Sequence, residues 1–157
     1  MSTKAIEGYS ALQRGDKDYN VKNYKGAIEL YNSAINYYKE ADQDENTTKN
    51  TAVAKNNLSI AYNEYGKDFA NIWGSMKPAA QSQETLKKAI EAFTKATEAK
   101  PDSAPAHYNL GLTHEKNNDH VNATIAYKKS LDFLPKTSTI DTKEIGIVVN
   151  THCKIII

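Results

Sequence analysis

Cysteine is almost absent from this chain. A single cysteine, Cys153, occurs among 157 residues. One thiol cannot form an intramolecular disulfide, and such sparse use of cysteine fits a reducing compartment. The neighbouring His152 and this cysteine have no second Cys-His pair with which to complete a zinc site. The sequence therefore excludes a domain stapled by internal disulfides and gives no sign of a structural metal centre.

Long apolar runs and an excess of charge of one sign are missing as well. No segment approaches the roughly 20 apolar residues that span a membrane, and residues 1–7 lack the apolar stretch of a signal peptide. We therefore expect a cytoplasmic protein without a membrane span. The 20 basic and 19 acidic residues give a formal net charge of +1. Because binding to nucleic acid requires a basic face, we expect no nucleic-acid partner.

Glycine clusters and grouped catalytic side chains are also lacking. The seven glycines are scattered, so the chain has no glycine-rich loop to cradle a phosphate. The four histidines do not combine with the lone cysteine and an orienting acid into a catalytic set. His107 and His114 are about 10 Å apart along a helix, too far to bind one ion through a single-turn motif. We therefore expect no enzyme activity, no cofactor and no metal.

A fixed period of 34 residues organises the second half of the chain. Four pairs of residues keep this spacing in the same order: Ala89 and Ala123, Phe93 and Tyr127, Ala96 and Ser130, Pro101 and Pro135. A small residue followed four positions later by an aromatic, with a closing proline, is typical of a helix-turn-helix repeat array. Each unit of such an array buries its apolar face only against its neighbours.

The pattern resembles the tetratricopeptide repeat family, whose consensus runs W-x2-L-G-x2-Y, then A-x3-F, then P. Three copies are found: His107-x2-Leu110-Gly111-x2-His114 with Ala123-x3-Tyr127 and Pro135; Leu58-Ser59-x2-Tyr62 with Gly66, Ala89-x3-Phe93 and Pro101; Gly15-Asp16-x2-Tyr19 with Tyr24, Ala27-x3-Tyr31 and Ala34. The resemblance covers about residues 8–135. It implies an all-α fold in which three repeats stack as a right-handed superhelix.

Small residues in each unit allow its two helices to approach closely. They are Gly15, Ser59 and Gly111 on the first helices and Ala27, Ala89 and Ala123 on the second. Aromatic residues one turn further along the second helices lie on the same face and fill the space between helices. We predict a single domain over 1–157, with repeats at about 5–41, 51–101 and 104–135.

Two insertions interrupt the period. The polar segment 36–50 is interpreted as a lengthened second helix and a loop, with Thr47 or Thr48 as the N-cap of the next helix. A further 18 residues lie inside the middle repeat and predict an extended hairpin over 66–84. Its apolar side chains either pack on their own hairpin or a neighbouring unit, or form a contact surface for a partner or a second copy. These residues are Phe69, Ile72, Trp73 and Met76.

The segment 137–157 is open to two interpretations. Ile145, Val148 and His152 keep a helical spacing, and a repeat array needs a final helix over its last apolar face, so we favour a C-terminal capping helix. Gly146 and the β-branched runs weaken the helix preference of this segment. A mobile or strand-like tail that is prone to self-association is therefore the alternative.

The resemblance also implies a binding site, because the family's concave groove is lined by one face of each unit's first helix. Carried over by position, that face holds Tyr9, Leu12, Gln13, Asp16 and Tyr19 in the first unit, Asn56, Asn57, Ile60, Asn63 and Glu64 in the middle unit, and Tyr108, Asn109, Leu112, Glu115 and Lys116 in the third. Asparagine amides can both donate hydrogen bonds to a peptide backbone and accept them from it. The alternative is that these residues simply face solvent.

Some members of the family hold the acidic tails of chaperones with a clamp of lysines, an arginine and asparagines. The clamp positions fall on Leu12, Asp16, Asn57, Pro105 and Asn109, and of these Asn57 alone matches. Because no cationic cradle for carboxylates results, we expect this protein not to bind acidic tails through such a clamp.

Two functions compete on these observations. The preferred one is a non-catalytic adaptor or co-chaperone-like module that binds a peptide or helix of a protein partner in the concave groove. The alternative is a self-assembling scaffold, a homodimer or larger, that uses the hairpin 66–84 or the C-terminal tail.

Overall fold

A computed structural model of the protein describes residues 2–75 and 79–134. Within these residues the chain forms six helices: α1 (Thr3–Asn20), α2 (Tyr24–Glu40), α3 (Glu45–Ser75), α4 (Ala79–Ala99), α5 (Ala104–Lys116) and α6 (His120–Phe133). The helices pair as α1/α2, α3/α4 and α5/α6, and each pair stacks on the next. The prediction of an all-α helical repeat fold is confirmed. The predicted cap or tail at 137–157, together with Met76 and Pro135, lies outside the described residues.

The turns inside the first and last helix pairs are built alike. Asn23 and Asp119 cap α2 and α6, because their side-chain oxygens accept hydrogen bonds from the backbone N–H groups of Gly26 and Asn122, each at 3.2 Å. The residue before each cap adopts a positive φ, 61° at Lys22 and 58° at Asn118. A left-handed residue followed by a capping side chain turns the chain sharply enough for α2 and α6 to fold back on their partners.

The long helix α3 begins earlier than the sequence predicted. The predicted caps were Thr47 and Thr48, but Asp44 caps this helix by accepting a 2.7 Å hydrogen bond from the Thr47 N–H through its Oδ1. This bond lowers the pKa of the Asp44 carboxyl. The Thr48 hydroxyl instead donates to the Asp44 carbonyl at 2.9 Å. A carboxylate at a helix N-terminus also interacts favourably with the helix dipole, which explains why the acid takes the cap position.

Each helix pair brings an aromatic ring of the second helix directly onto a glycine of the first. A Cβ atom added at Gly15 would lie 2.6 Å from the ring of Tyr31, and one added at Gly111 would lie 2.6 Å from that of Tyr127. Real Cβ atoms do not approach ring carbons so closely. The predicted close approach of paired helices at Gly15 and Gly111 is therefore present in the structure.

In the middle pair the ring lies on Gly66, whereas Ser59, the small residue that the sequence predicted at a close approach, meets the α4 backbone. A Cβ atom added at Gly66 would lie 2.7 Å from the ring of Phe93. The Ser59 hydroxyl instead donates a 2.7 Å hydrogen bond to the Ala96 carbonyl, deeper in the pair. Because Ser59 and Gly66 are seven positions apart, they lie on the same face of α3 about two turns from each other. Helix α4 thus approaches α3 closely at both residues, and the Phe93 ring lies at Gly66.

The interior between α1, α2 and α3 contains two tyrosines of α2 that differ in their hydroxyl groups. Tyr31 is 2% exposed and its hydroxyl donates a 2.8 Å hydrogen bond to Oδ1 of Asp16. Tyr38 is fully buried, its ring lies against Gly8, and its hydroxyl has no hydrogen-bond partner within the described residues. A buried polar group without a partner destabilises the folded state, whereas a bonded one contributes to its stability.

We therefore expect Tyr31→Phe and Tyr38→Phe to have different effects on stability. Tyr31→Phe removes a hydrogen bond and should lower the free energy of unfolding by about 1 kcal/mol. Tyr38→Phe removes an unpaired buried hydroxyl and should leave this free energy unchanged or raise it by about 1 kcal/mol. Urea denaturation followed by circular dichroism measures both variants. Equal losses of stability would contradict the assignment of an unpaired hydroxyl to Tyr38.

Candidate binding groove

The first helices of the three pairs, α1, α3 and α5, lie side by side and are joined by side-chain amides. Asn57 of α3 donates a 3.0 Å hydrogen bond from Nδ2 to Oδ1 of Asp16 on α1. Asn109 of α5 donates a 2.9 Å hydrogen bond from Nδ2 to Oδ1 of Asn63, a buried residue of α3. These two links fix the face on which the sequence predicted a groove. They also use part of the hydrogen-bonding capacity of the asparagines that the sequence assigned to a partner.

Two carboxylates on this face are held in place by tyrosines of the second helices. Asp16 accepts from the Tyr31 hydroxyl, and Glu115 accepts from the Tyr127 hydroxyl at 2.7 Å. Burial, and then the bond to the carboxylate, raises the pKa of both tyrosines, so both hydroxyls remain protonated donors. In the middle pair the aromatic residue is Phe93, which has no hydroxyl to donate.

A cleft of about 350 Å³ opens between α1 and α3 on this face. Its lining residues are Asp16, Tyr19, Asn20, Tyr31, Asn57 and Ile60. Ile60 is 42% exposed, so its side chain is available for an apolar contact. The volume lies at the lower end of the roughly 300–1,000 Å³ that is usual for ligand pockets. The cleft therefore offers room for a side chain of a partner, with a carboxylate, an amide and apolar groups around it.

Four of the predicted groove residues meet at this cleft, whereas Leu12 is a core residue instead. Asp16, Tyr19, Asn57 and Ile60 line the cleft. Leu12 is 5% exposed and packs in the core between α1, α2 and α3, so the structure contradicts its assignment to the groove surface. It lies one turn before Asp16 but is buried in the core that α1, α2 and α3 share.

The remaining predicted groove residues are distributed along the face outside the cleft. In the first unit, Gln13 donates a 3.0 Å hydrogen bond to the hydroxyl of the exposed Tyr9. In the third unit, Tyr108 and Leu112 are half-buried and pack beside Tyr127. The others are half-buried or exposed polar residues of α3 and α5, namely Asn56, Glu64 and Lys116.

Sequence reasoning missed two lining residues, Asn20 and Tyr31. Tyr31 was predicted to fill the space between helices, and it does so, but its hydroxyl also reaches Asp16 at the cleft. The spacing of residues along α2 indicates the helix face on which the Tyr31 ring lies. It does not indicate which polar atom of another helix accepts a hydrogen bond from the tyrosine hydroxyl.

Comparison with known proteins agrees with the repeat architecture. A family model described as "TPR repeat" matches residues 82–118, and a second, described as "Tetratricopeptide repeat", matches residues 104–136. Together the two matches cover α5, α6 and nearly all of α4. Residues 82–136 carry tetratricopeptide repeats.

Solved tetratricopeptide repeat structures share its fold. The C-terminal TPR-containing domain of an FK506-binding protein from Plasmodium falciparum is 13% identical, with 98% of this chain and 90% of that chain covered at a TM-score of 0.56. A thermophilic TPR protein of Thermus thermophilus is 18% identical, with 95% and 82% covered at a TM-score of 0.50. At this level of identity the similarity shows the fold alone.

A curated relative matches one part of this tetratricopeptide repeat chain. Protein O-mannosyl-transferase TMTC3 of Mus musculus is 29% identical over 70 residues, which make up 45% of this chain. The matched stretch is 8% of that protein's length.

The hairpin of the middle tetratricopeptide repeat covers part of its own apolar surface. The Phe69 ring lies 4.7 Å from the ring of Tyr65, and the Trp73 ring lies 5.1 Å from Nζ of Lys116 on α5. Ile72, in contrast, is 45% exposed. Phe69 and Trp73 thus contact other residues of the chain, whereas the Ile72 side chain is exposed to solvent.

His107 and His114 of the last repeat contact residues that shape its helices. His107 is 5% exposed, its ring stacks on Phe133 at 5.7 Å, and its Nε2 lies 2.8 Å from the Pro101 carbonyl. Burial lowers the pKa of His107, which favours the neutral ring with the proton on Nε2. His114 lies 3.2 Å from Asp119, beside the cap of α6. Both occupy aromatic positions of the repeat, as the sequence predicted.

Residues 2–75 and 79–134 contain no group of three or more histidine, cysteine, aspartate or glutamate side chains that could hold a metal ion. None of the helices in this part of the chain combines the length and the apolar character that crossing a membrane requires.

Proposed function

We propose that this protein is a non-catalytic interaction module that binds a peptide or helical segment of a partner protein across the face of α1, α3 and α5. The α1–α3 cleft is the observation that carries the proposal. It combines a volume suited to a side chain with an exposed apolar group, Ile60, and a carboxylate, Asp16, that two hydrogen bonds hold in place. A preorganised pocket of this kind lowers the entropic cost of binding a partner.

The surroundings of the clamp positions support a partner other than an acidic chaperone tail. Leu12 is buried, Asp16 is an acid, and Asn109 already donates to Asn63. A carboxylate ligand at these positions would meet the negative charge of Asp16 without a cation to bind it. The domain that carries the groove is proposed to comprise all three repeats over 1–157.

The proposal is tested by selection from a random library of 12-residue peptides displayed on phage, with the intact chain as target. We expect to recover peptides that bind the Ile60→Ala variant on the order of tenfold more weakly than the intact chain, as for an apolar group at the centre of an interface. Ile125→Ala is the matched control, because Ile125 of α6 is 48% exposed and lies outside the cleft. Failure to recover any peptide, or equal losses on both variants, would overturn the proposal.

A self-assembling scaffold is the second candidate, and the exposed Ile72 beside the half-buried Phe69 and Trp73 is the observation that favours it. Multi-angle light scattering after size exclusion distinguishes the two functions. A dimer or larger assembly that Ile72→Asp converts to a monomer would favour the scaffold. If the intact chain and the Ile72→Asp variant are both monomers at tens of micromolar, assembly through this surface is excluded at that concentration.

A further inference from the structure

We infer that the partner segment is basic, and that one of its lysine or arginine side chains enters the α1–α3 cleft and pairs with Asp16. This inference rests on the proposed function, since it specifies the chemistry of the segment that the groove binds. Three features support it: the hydrogen bonding of Asp16, the character of the cleft walls and the charges around the cleft.

Asp16 is a half-buried carboxylate whose hydrogen bonds come from neutral groups. Its Oδ1 accepts from the Tyr31 hydroxyl at 2.8 Å and from Asn57 Nδ2 at 3.0 Å. Within the described residues no hydrogen bond reaches its Oδ2, and no lysine or arginine forms an ion pair with it. Charge-assisted hydrogen bonds are roughly twice as strong as neutral ones. A cation from the partner would therefore complete the hydrogen bonding of a carboxylate that is already held in position.

The walls of the cleft suit the stem of a basic side chain. Tyr19 and Ile60 line the cleft beside the carboxylate. Lysine and arginine have aliphatic stems that pack on apolar surface while the charged group reaches a polar one. The Tyr19 ring is also a favourable neighbour for a cation. A purely apolar side chain would bury Asp16 without a counterion, and an acidic side chain would be repelled by it.

Two further carboxylates, Glu64 and Asp68 of α3, act on tyrosines at the Tyr19 end of the cleft. Burial, and after it the negative charge of Glu64, raises the pKa of Tyr19. Burial and the charges of Glu64 and Asp68 likewise raise the pKa of Tyr24, whose ring lies 5.5 Å from that of Tyr19. Lys67 is the basic neighbour on α3, and its Nζ is paired with Glu64 at 2.6 Å. Glu64 and Lys67 offset each other, so Asp16 and Asp68, for which the described residues show no ion pair, carry the charge that would attract a cation here.

The test uses the peptides recovered by the phage selection described above. Each basic residue of a groove-dependent peptide is replaced in turn by its neutral isostere, citrulline for arginine or norleucine for lysine. Affinities for the intact chain and for Asp16→Asn are then measured by isothermal titration calorimetry. The asparagine keeps an oxygen that can accept hydrogen bonds from Tyr31 and Asn57, so the variant removes the charge and leaves the acceptor.

We expect one replacement to weaken binding to the intact chain on the order of tenfold and to have no effect on binding to Asp16→Asn. This cycle isolates the pairing of the two groups from other effects of the substitution. Glu29→Gln is the matched charge control, because Glu29 is exposed on α2 outside the cleft and its loss changes the net charge equally. Binding to Glu29→Gln should equal binding to the intact chain.

The outcomes separate this inference from the proposed function. If groove-dependent peptides are recovered but contain no basic residue, or if the isostere weakens binding equally to the intact chain and to Asp16→Asn, the inference is wrong and the proposed function stands. If no recovered peptide depends on Ile60, both are wrong. Thermal unfolding of Asp16→Asn confirms in parallel that the variant is folded, so that a loss of binding is not a loss of structure.

Discussion

Phe93→Ala is expected to lower the free energy of unfolding by about 3–5 kcal/mol, the range measured when a large buried aromatic is reduced to alanine. Phe93 is 1% exposed, and its ring fills the space between α3 and α4 directly above Gly66. Removing the ring would leave a cavity that the two helices cannot easily close, because Ser59 fixes their separation by its hydrogen bond to the Ala96 carbonyl. Urea denaturation followed by circular dichroism measures the loss.

The same substitution at Phe133 is the matched control. Phe133 is 42% exposed and stacks on one face of His107. Because nearly half of its surface already meets water, we expect Phe133→Ala to lower the free energy of unfolding by about 1 kcal/mol. A loss at Phe93 no larger than the loss at Phe133 would show that the ring against Gly66 does not hold the middle pair together.

Gly111→Val is expected to lower the free energy of unfolding by about 2–3 kcal/mol through overpacking. The new Cβ would lie 2.6 Å from Cδ1 of Tyr127, which is 1% exposed. The ring cannot move aside easily, because its hydroxyl is bonded to Glu115 at 2.7 Å. The helix pair must therefore separate or the ring must leave its position. Thermal and urea unfolding both measure the effect, and near-ultraviolet circular dichroism reports the accompanying change in aromatic packing.

Gly74→Val is the matched control for this prediction. Gly74 is also a helical glycine, in the last turn of α3, but among the described residues a Cβ atom added there would meet no atom within 4 Å beyond its own turn of helix. We expect its stability to stay within about 0.5 kcal/mol of that of the unchanged chain. If both valine variants are equally stable, the contact between Gly111 and Tyr127 does not limit the approach of α5 and α6.

The repeat pattern predicted which residues would meet, and the middle pair shows where such a prediction ends. The pattern predicted small residues where paired helices approach closely and aromatics between the helices, and in the structure Tyr31 lies on Gly15 and Tyr127 on Gly111. Both glycines precede their aromatic by 16 positions. Gly66 precedes Phe93 by 27 positions, and the alignment chose Ser59 instead. Small residues two turns apart share a helix face, so the spacing within α3 does not distinguish them.

The groove shows the same limit for polar residues. Leu12 and Asp16 are one turn apart on α1, and the sequence placed both on the binding face. In the structure Leu12 is buried in the core of α1, α2 and α3, whereas Asp16 lines the cleft. The difference arises because three helices meet at this point, and their joint packing determines which of two adjacent turns stays accessible. The pairing of Asp16 with Tyr31 and Asn57 likewise joins residues from three helices.

By itself, the sequence determined the helical repeats, the face on which each helix carries its small and aromatic residues, and the family to which the chain belongs. These properties follow from spacing within single helices, which the order of residues specifies directly. Only the tertiary structure decided which small residue of α3 meets the Phe93 ring of α4 and which carboxylate of α1 lines the cleft. Those properties depend on the axial offsets between helices, which are set by the packing of several segments at once and not by the spacing within any one of them.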